Sequence, residues 1–510
     1  MRQAQTTRDD HELERAKVAL VADGAWASAI GVMAGSVILV GFALQLGASP
    51  LVIGLLAAIP FIGQFAQLPA ILLVQRLRNR RKLAVRLGLA ERFVILAFAL
   101  LPLLPNKNTA LILLIGGQLI AAALAATSAC AWNSWMHDLL PKEGMGAFFA
   151  RRLFWATTVS LIAGLSAGAL VDNWRLGEQV HAYSVTFILA ALAGFVSSWY
   201  LAQVPEPAMP PDEGVQPLWQ MIRQPLADTN FRRLIRFMAS YNFATNFAGP
   251  FVTVFLLQHV ALGIGAVVVL GAVSQLANVL TIRLWGNLSD RFSNKSVLAV
   301  TVPTFFACLL ALPFTAHPVS HSLTLPLLAA LHVVMGIAAG GSGLAIANIG
   351  LQLAPRGQGT AYMAAVGLLS ACAAAIAPVL GGVVADWFLR RELAISVQWT
   401  SPGTTQSFAL LNLQHWDFFF LVAFTIGLYA LHRLSLVREE GHASRRVVVQ
   451  NLVLEARRNM RSLSSIGGLR IAIVFPYGKI LGERRSERFR RKLLVRSVRS
   501  QRDAGTLAGI

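Results

Sequence analysis

Gly286-Asn-Leu-Ser-Asp290-Arg291-Phe-Ser-Asn-Lys295 is a short charged turn between two long apolar runs, 265–285 and 296–312. It fits the pattern Gly-x-x-x-Asp-Arg-x-x-x-Lys. Between two helices these residue types have physical reasons. Glycine lets the helices approach closely, and the carboxylate can face the positive N-terminal end of a neighbour. Arginine and lysine hold such a loop at a membrane surface. The reading therefore turns on whether the chain around it is built of membrane spans.

It is. The 510 residues are 55% hydrophobic and only 13% charged, too apolar for an ordinary soluble protein. The charges sit in small basic clusters between uncharged runs of about 20 residues or more, the length that crosses a bilayer as a helix. Within the N-terminal segment 1–22, expected to be cytoplasmic, residues 1–17 are polar and charged, and the first apolar run is too long for a signal peptide, so no cleaved leader is expected. Cys130, Cys308 and Cys372 all fall inside apolar spans and read as packing residues rather than a disulfide framework.

Twelve spans are expected: 23–46, 51–74, 84–104, 110–136, 148–171 and 182–203, then 234–258, 265–285, 296–314, 323–351, 361–385 and 418–436. A Pro- and charge-rich link, 204–233, separates the two sets, and a tail covers 438–510. With the N-terminus inside, the inner loops hold seventeen Lys/Arg, whereas the outer loops hold only Lys107, Arg175, Arg390 and Arg391. That asymmetry predicts both termini in the cytoplasm of an inner or plasma membrane. The net charge of +20 invites a nucleic-acid reading, but the tail alone carries seventeen Lys/Arg against six Asp/Glu. The rest is mostly in loops, so no nucleic-acid partner is expected.

The two sets repeat. An offset of 213 residues places Phe42 on Phe255, Gln45 on Gln258, Arg78 on Arg291 and Lys82 on Lys295. An offset of 214 places Pro141 on Pro355, Gly168 on Gly382 and Asp172 on Asp386. With the loop at 286–295, this resembles the major facilitator superfamily, over roughly 23–436. The loop departs from the family pattern at Ser293 and Asn294, where glycine and a basic residue are usual. The resemblance implies an all-α polytopic membrane protein with twelve transmembrane helices in two pseudo-symmetric six-helix bundles. It also implies a transporter working by alternating access.

No Gly-x-x-x-x-Gly-Lys-Ser/Thr loop, His-Glu-x-x-His, paired-cysteine motif or Gly-x-Ser-x-Gly elbow is present. An enzyme, a nucleotide-driven pump, a cofactor and a metal site are therefore not expected. Transport would run on a gradient, with a proton the natural coupling ion. The polar residues deep in the spans are then the cavity candidates: Gln64, Gln67, Gln118, Trp132, Asn133, Asn242, Asn246, Gln275 and Asn278. Amides and aromatics there either hold and stack a ligand or bridge helices as interhelical glue. Asp23, Glu91 and His332 are the titratable candidates for proton coupling; a cap, an ion pair with Arg92 and a packing role are their respective alternatives. No arginine or lysine is expected at mid-depth, which favours a neutral, amphipathic or cationic small molecule over an acidic one.

In facilitators the loop carboxylate and basic residues resemble a latch. Carried over, Asp290 faces the start of the fifth span near 148–151, with Gly286 at the helix contact and Arg291 and Lys295 at the surface. The first half keeps Arg78, Arg81 and Lys82 but has Leu73 and Leu77 in place of the glycine and the acid, while Asp138 answers to Gln352 in the second half. An asymmetric cytoplasmic gate follows, with Asp138 pairing to the cluster at 78–82. The favoured function is a secondary transporter, slightly preferring export of amphipathic compounds. The alternatives are a non-transporting receptor or scaffold on this fold, and a lipid translocator. The outer connection 387–417 is a surface excursion or a substrate lid. The tail stretches 447–463 and 483–498 lie on anionic inner-leaflet lipids or serve only topology.

Overall fold

The computed structural model describes residues 2–141, 145–209, 218–316, 321–355, 359–402 and 404–439. The tail stretches 447–463 and 483–498 lie outside them. The first set of helices is α1 (Arg2–Met33), α2 (Ser36–Gln45), α3 (Pro50–Gly63), α4 (Gln67–Leu77), α5 (Arg80–Phe98), α6 (Lys107–Leu139), α7 (Met145–Asp172) and α8 (Val180–Ala202). The link forms α9 (Leu218–Ala227). The second set is α10 (Thr229–Val254), α11 (Ile264–Arg291), α12 (Asn294–Ala311), α13 (Thr324–Leu353), α14 (Gly359–Phe388) and α15 (His415–Ser435).

Each expected span falls on helix, and ten of these stretches are long and apolar enough to cross a membrane. The two that are not have identifiable causes. Helix α5 opens on Arg80-Arg81-Lys82 and carries Glu91 and Arg92, and α10 carries Arg232, Arg233 and Arg236 with Asn242 and Asn246 further in.

Helix starts follow cap chemistry. Ser49 accepts from the Val52 N–H ahead of Pro50, Asn79 from Lys82, Asp228 from Asn230 and Phe231, and Ser293 from Ser296. Gln414 and Asp417 form a reciprocal capping box at α15. The first expected span is broken: α1 stops at Met33, and the chain passes through Ser36 at φ 46° into α2.

The all-α expectation needs one correction. Residues 387–417 contain an antiparallel hairpin, β1 (Glu392–Ser401) and β2 (Thr404–Gln414), bulged at Ile395/Ser396. The sequence carried the signal, because Leu393, Ile395, Val397 and Trp399 alternate with smaller or polar residues.

Helix α3 packs on α14 and α7 on α11, while α5–α6, α1–α7, α11–α13 and α12–α13 also pair. The contacts between the two sets are backbone-close. A Cβ on Gly168 would stand 2.7 Å from Gly265 Cα, and one on Gly382 would stand 2.7 Å from Leu51 Cα. A core around Leu20, Leu83, Ala84, Ala131, Trp135, Met136 and Val204 fills the first set near the start of α5. In the second set the rings of Phe247 and Phe251 in α10 and of Phe255 just beyond it interlock with those of Trp416, Phe419 and Phe420 in α15.

Candidate functional site

The break between α1 and α2 opens onto a cavity of about 800 Å³. Helices α1 to α6 supply most of its wall and α10 the remainder, through Asn246, Gly249, Pro250 and Thr253. The wall is largely Ala, Ile, Leu, Val, Pro and Gly; its polar side chains are Ser36, Gln64, Gln67, Gln118, Asn246, Thr253 and Glu91. A concave apolar wall with a few polar groups is the usual build of a small-molecule site. Glu91 is ion-paired through Oε2 to Arg92 Nη1, which also donates to Gly88 O at 3.0 Å.

Below the cavity, at the end of the bundle where Arg80 and Asp138 lie (the basic end), the two sets repeat one another. Asn79 and Ser293 are the N-caps of α5 and α12, and Arg78 and Phe292 the C-caps of the preceding helices, so the loops correspond at an offset of 214. The 213 register that placed Arg78 on Arg291 is therefore corrected by one residue. Arg80 now answers to Asn294. The Arg80 side chain is fully buried: Nη1 donates to Asp138 Oδ2 and to Ser134 O, the latter at 3.1 Å, and Nη2 donates to Pro207 O at 3.0 Å. At the matching positions Asn294 Nδ2 donates to Gln352 Oε1 at 2.8 Å. A charged pair in one half thus stands where a neutral amide pair stands in the other.

Each of these helix starts is also closed by a glutamate from beyond the last helix of its set. Glu206 accepts from the Arg80 and Arg81 N–H groups at 2.6 and 3.2 Å. Glu439 accepts from those of Asn294 and Lys295 at 3.1 and 2.6 Å. Carboxylates fit there because the first N–H groups of a helix lack internal partners.

The opposite end, next to the β-hairpin, carries a reciprocal pair. Asp172 at the close of α7 accepts from the Ile264 and Gly265 N–H groups of α11 at 2.8 and 2.7 Å. Asp386 in α14 accepts from the Leu51 N–H of α3 at 3.0 Å. Both acids, and the donor residues Leu51 and Gly265 of the two helix starts, are related by the same offset of 214 residues.

A sequence model of the Major Facilitator Superfamily matches residues 24–378, with a second, overlapping match over 237–475. The chain belongs to the major facilitator superfamily. It is accordingly an integral membrane protein of a transporter family rather than an enzyme. No curated protein matches the chain. Among solved structures it resembles a mutant form of the nucleoside transporter NupG, with TM-score 0.66 and 11% identity over 83% of this chain and all of that one. A D-xylose–proton symporter aligns with TM-score 0.58 and 14% identity, covering 85% of this chain and 99% of that one. A bacterial homologue of the iron transporter ferroportin in an inward-facing state aligns with TM-score 0.57 and 12% identity, covering 84% and 99%. At such identities these likenesses establish the facilitator fold.

Of the cavity candidates, Gln64, Gln67, Gln118 and Asn246 line the facilitator cavity. The others do not. Trp132 packs under the Arg152 guanidinium, 4.8 Å from its ring centre, and Asn133 is exposed. Asn242 donates to Met238 O of its own helix, Gln275 is exposed, and Asn278 packs against Gly340 of α13. No aromatic side chain is among the lining residues, so the stacking role expected for aromatics finds no platform there.

Asp23 is 5% exposed and accepts from Ser197 Oγ at 2.7 Å and Arg152 Nη2 at 3.4 Å. His332 is buried and donates from Nδ1 to Leu328 O at 2.8 Å. Arg92, just past the middle of α5, overturns the expectation that no basic residue lies deep in a span. A guanidinium is tolerated at that depth because Glu91 pairs with it and Gly88 O accepts from it.

Among the gate candidates, Asp138 contacts Arg80 rather than Arg78, Arg81 or Lys82. Arg78 donates to Met209 O at 3.0 Å, and Lys82 is exposed. The Lys295 ammonium donates to Ser435 O and Val437 O at 3.0 and 2.6 Å. Asp290 and Arg291 are exposed, and the structure does not bring Asp290 into an ion pair among the described residues. Gly286 meets nothing within 4 Å of where a Cβ would stand, so it makes no close helix contact in this conformation. Arg80, Arg152, Glu206 and Glu439 carry no mark in the sequence that singles them out. Glu206 and Glu439 follow the last helix of each half, outside the residues that the two offsets align.

Proposed function

We propose that the chain is a proton-driven secondary transporter that exports small amphipathic molecules by alternating access. The bundles are 23–203 and 234–437, six spans each, with 204–233 as the cytoplasmic link and both termini cytoplasmic in an inner or plasma membrane. Helices α5 and α10 complete the twelve. Their polar groups face partners inside the protein: Arg80 has Asp138, Glu91 has Arg92, and Asn242 and Asn246 fold back on their own helix. The basic tail, 438–510, rests on anionic inner-leaflet lipids.

The observation that carries this reading is a cavity between the halves whose two ends differ. At the hairpin end Asp172 and Asp386 each tie one half to a helix start of the other, and glycine contacts bring the backbones together. At the basic end Gly286 and Asp290 are unengaged among the described residues. A cavity sealed at one end and loose at the other is one state of an alternating-access cycle, here open to the cytoplasm. Glu91 is the group on the cavity wall that can exchange a proton, and the apolar wall suits an amphipathic cargo.

The test is two-sided labelling of Thr253→Cys, on the cavity wall, in oriented vesicles. The reading expects an impermeant thiol reagent to reach it from the cytoplasmic face in the resting protein, and from the other face once a proton gradient and cargo are supplied. Labelling from one face only under every condition sinks it.

A further inference from the structure

We infer that the cavity is selective for amphipathic cations, with the Glu91 carboxylate as the group that reads the positive charge. The inference rests on the transport reading only for the cavity's role; the charge of its ligand is a separate matter.

Glu91 is the one charged side chain among the described residues of the cavity wall. Its partner Arg92 is not part of that wall. Arg92 is held by Gly88 O, and its Cγ occupies the space that a Cβ on Gly194 would need, so the guanidinium stem is wedged between α5 and α8. The cavity therefore meets the carboxylate and not the guanidinium. Glu91 Oε2 is taken by Arg92, while Oε1 has no partner among the described residues and is not among the buried atoms left unpaired. A carboxylate has about four lone-pair sites, so it can serve Arg92 and a ligand cation together.

The other polar groups do not choose a sign of charge. Gln64, Gln67, Gln118 and Asn246 are neutral amides that donate and accept. Ser36 and Thr253 add hydroxyls, which also donate and accept. With no aromatic ring in the wall, cation–π contacts are not available to do the work, which leaves the carboxylate. The surrounding Ile, Leu, Ala and Pro side chains lower the polarity on one side of a charge contact made against them and so strengthen it. They also demand an apolar body on the ligand. An anionic ligand would place its charge against Glu91 with no basic side chain on the wall to offset it.

The experiment compares amphiphiles differing only in charge: an aryl-trimethylammonium ion, its tert-butyl isostere in which carbon replaces nitrogen, and the matching aryl carboxylate. Binding to the full-length protein in detergent is read by thermal shift and direct titration. The expected result is at least tenfold tighter binding of the trimethylammonium ion than of its isostere in the wild type, and a ratio near one in Glu91→Gln with binding of the isostere retained. Because Glu91→Gln strands Arg92 and can fail to fold, a second measurement uses the unaltered protein. Dicyclohexylcarbodiimide modification of Glu91, followed by mass spectrometry, should be slowed by the trimethylammonium ion and not by the isostere. Equal or tighter binding of the isostere or the carboxylate overturns the inference, as does absence of protection at Glu91 by the cation. A cation preference unchanged in Glu91→Gln overturns the assignment to that residue. None of these outcomes touches the two-sided labelling of Thr253→Cys, so the failure of one reading is distinguishable from the failure of the other.

Discussion

The Asp172 carboxylate closes the start of α11 by accepting from the Gly265 N–H at 2.7 Å, and its repeat mate Asp386 does the same for Leu51 of α3. The two bonds run in opposite directions across the halves, so loosening either weakens the same closed end. An exposed carboxylate at a helix start is worth about 0.5–1 kcal/mol, so the pair contributes roughly 1–2 kcal/mol to that closure. Asp172→Asn/Asp386→Asn should therefore raise the population open at the hairpin end by roughly five- to thirty-fold, with each single change giving the smaller part. The check is the rate at which an impermeant maleimide reaches Thr253→Cys from the hairpin end. An unchanged rate in the double variant would show that these carboxylates do not hold that end shut.

The correspondence of Arg80–Asp138 with Asn294–Gln352 makes a second prediction. Asp138→Ala leaves a fully buried guanidinium short of a partner, a change that costs about 3–5 kcal/mol for a buried pair. Because the Asp138 side chain is 25% exposed and Glu206 remains 3.6 Å from Arg80 Nε, the expected loss is nearer ~2–3 kcal/mol. Arg80→Asn/Asp138→Gln transplants the amide pair of the second half onto the first. It should recover most of that loss, since Glu206 still caps the backbone N–H groups as Glu439 does opposite. Thermal unfolding in detergent decides it: the double variant should melt above Asp138→Ala and above Arg80→Asn alone. A double variant as unstable as the sum of its singles would mean that the two sites are not equivalent.

The fold was legible because its strongest signals are local. Apolar runs of membrane length, basic loops and aligned residues such as Asp172 and Asp386 each stand in the sequence without reference to what they touch. The site was legible only in part, because depth along a helix can be counted but its facing cannot. Gln118 and Gln275 are both amides well inside expected spans, yet one lines the cavity and the other is exposed. Arg80 is hidden for the opposite reason. In a run of Arg80-Arg81-Lys82 nothing in residue type says which member turns inward; that choice is made by Asp138, Ser134 and Pro207, which reach it from 54 to 127 residues away. The hairpin at 392–414 was hidden in a connection read only by its length, although its alternation was present.

At the foot of that hairpin His259 stacks on Phe255 and lines a pocket of about 50 Å³ with Asn412, Gln414, Trp416 and Asp417. Burial holds the His259 imidazole below its ordinary value, with the Asp417 carboxylate opposing the shift. A histidine depressed in the folded state binds fewer protons than in the unfolded chain. Stability is then complete above the unfolded value of about 6.5 and is lost as pH falls from there toward the folded one. Unfolding at pH 5.5 should therefore occur at a lower temperature than at pH 7.5, on either side of that value of about 6.5. His259→Gln should reduce that difference without abolishing it, because other groups titrate over the same range. An identical pH difference in the variant would remove His259 as a contributor.

The last prediction separates the two amides that sequence position treats alike. With the free cysteines Cys130, Cys308 and Cys372 replaced by alanine, Gln118→Cys and Gln275→Cys each offer one thiol for labelling. Any amphiphile that raises the melting temperature of the purified protein must occupy the folded state, and mass action sets how much thiol it can shield. At about ten times its dissociation constant, a cavity ligand leaves roughly a tenth of the sites open. Labelling at position 118 should slow about tenfold under those conditions, whereas position 275, exposed and outside the wall, should react at its unliganded rate. Equal protection at both positions would place the bound molecule on the second half as well as the first. Protection at 275 alone would move the binding site away from the α1–α2 break altogether.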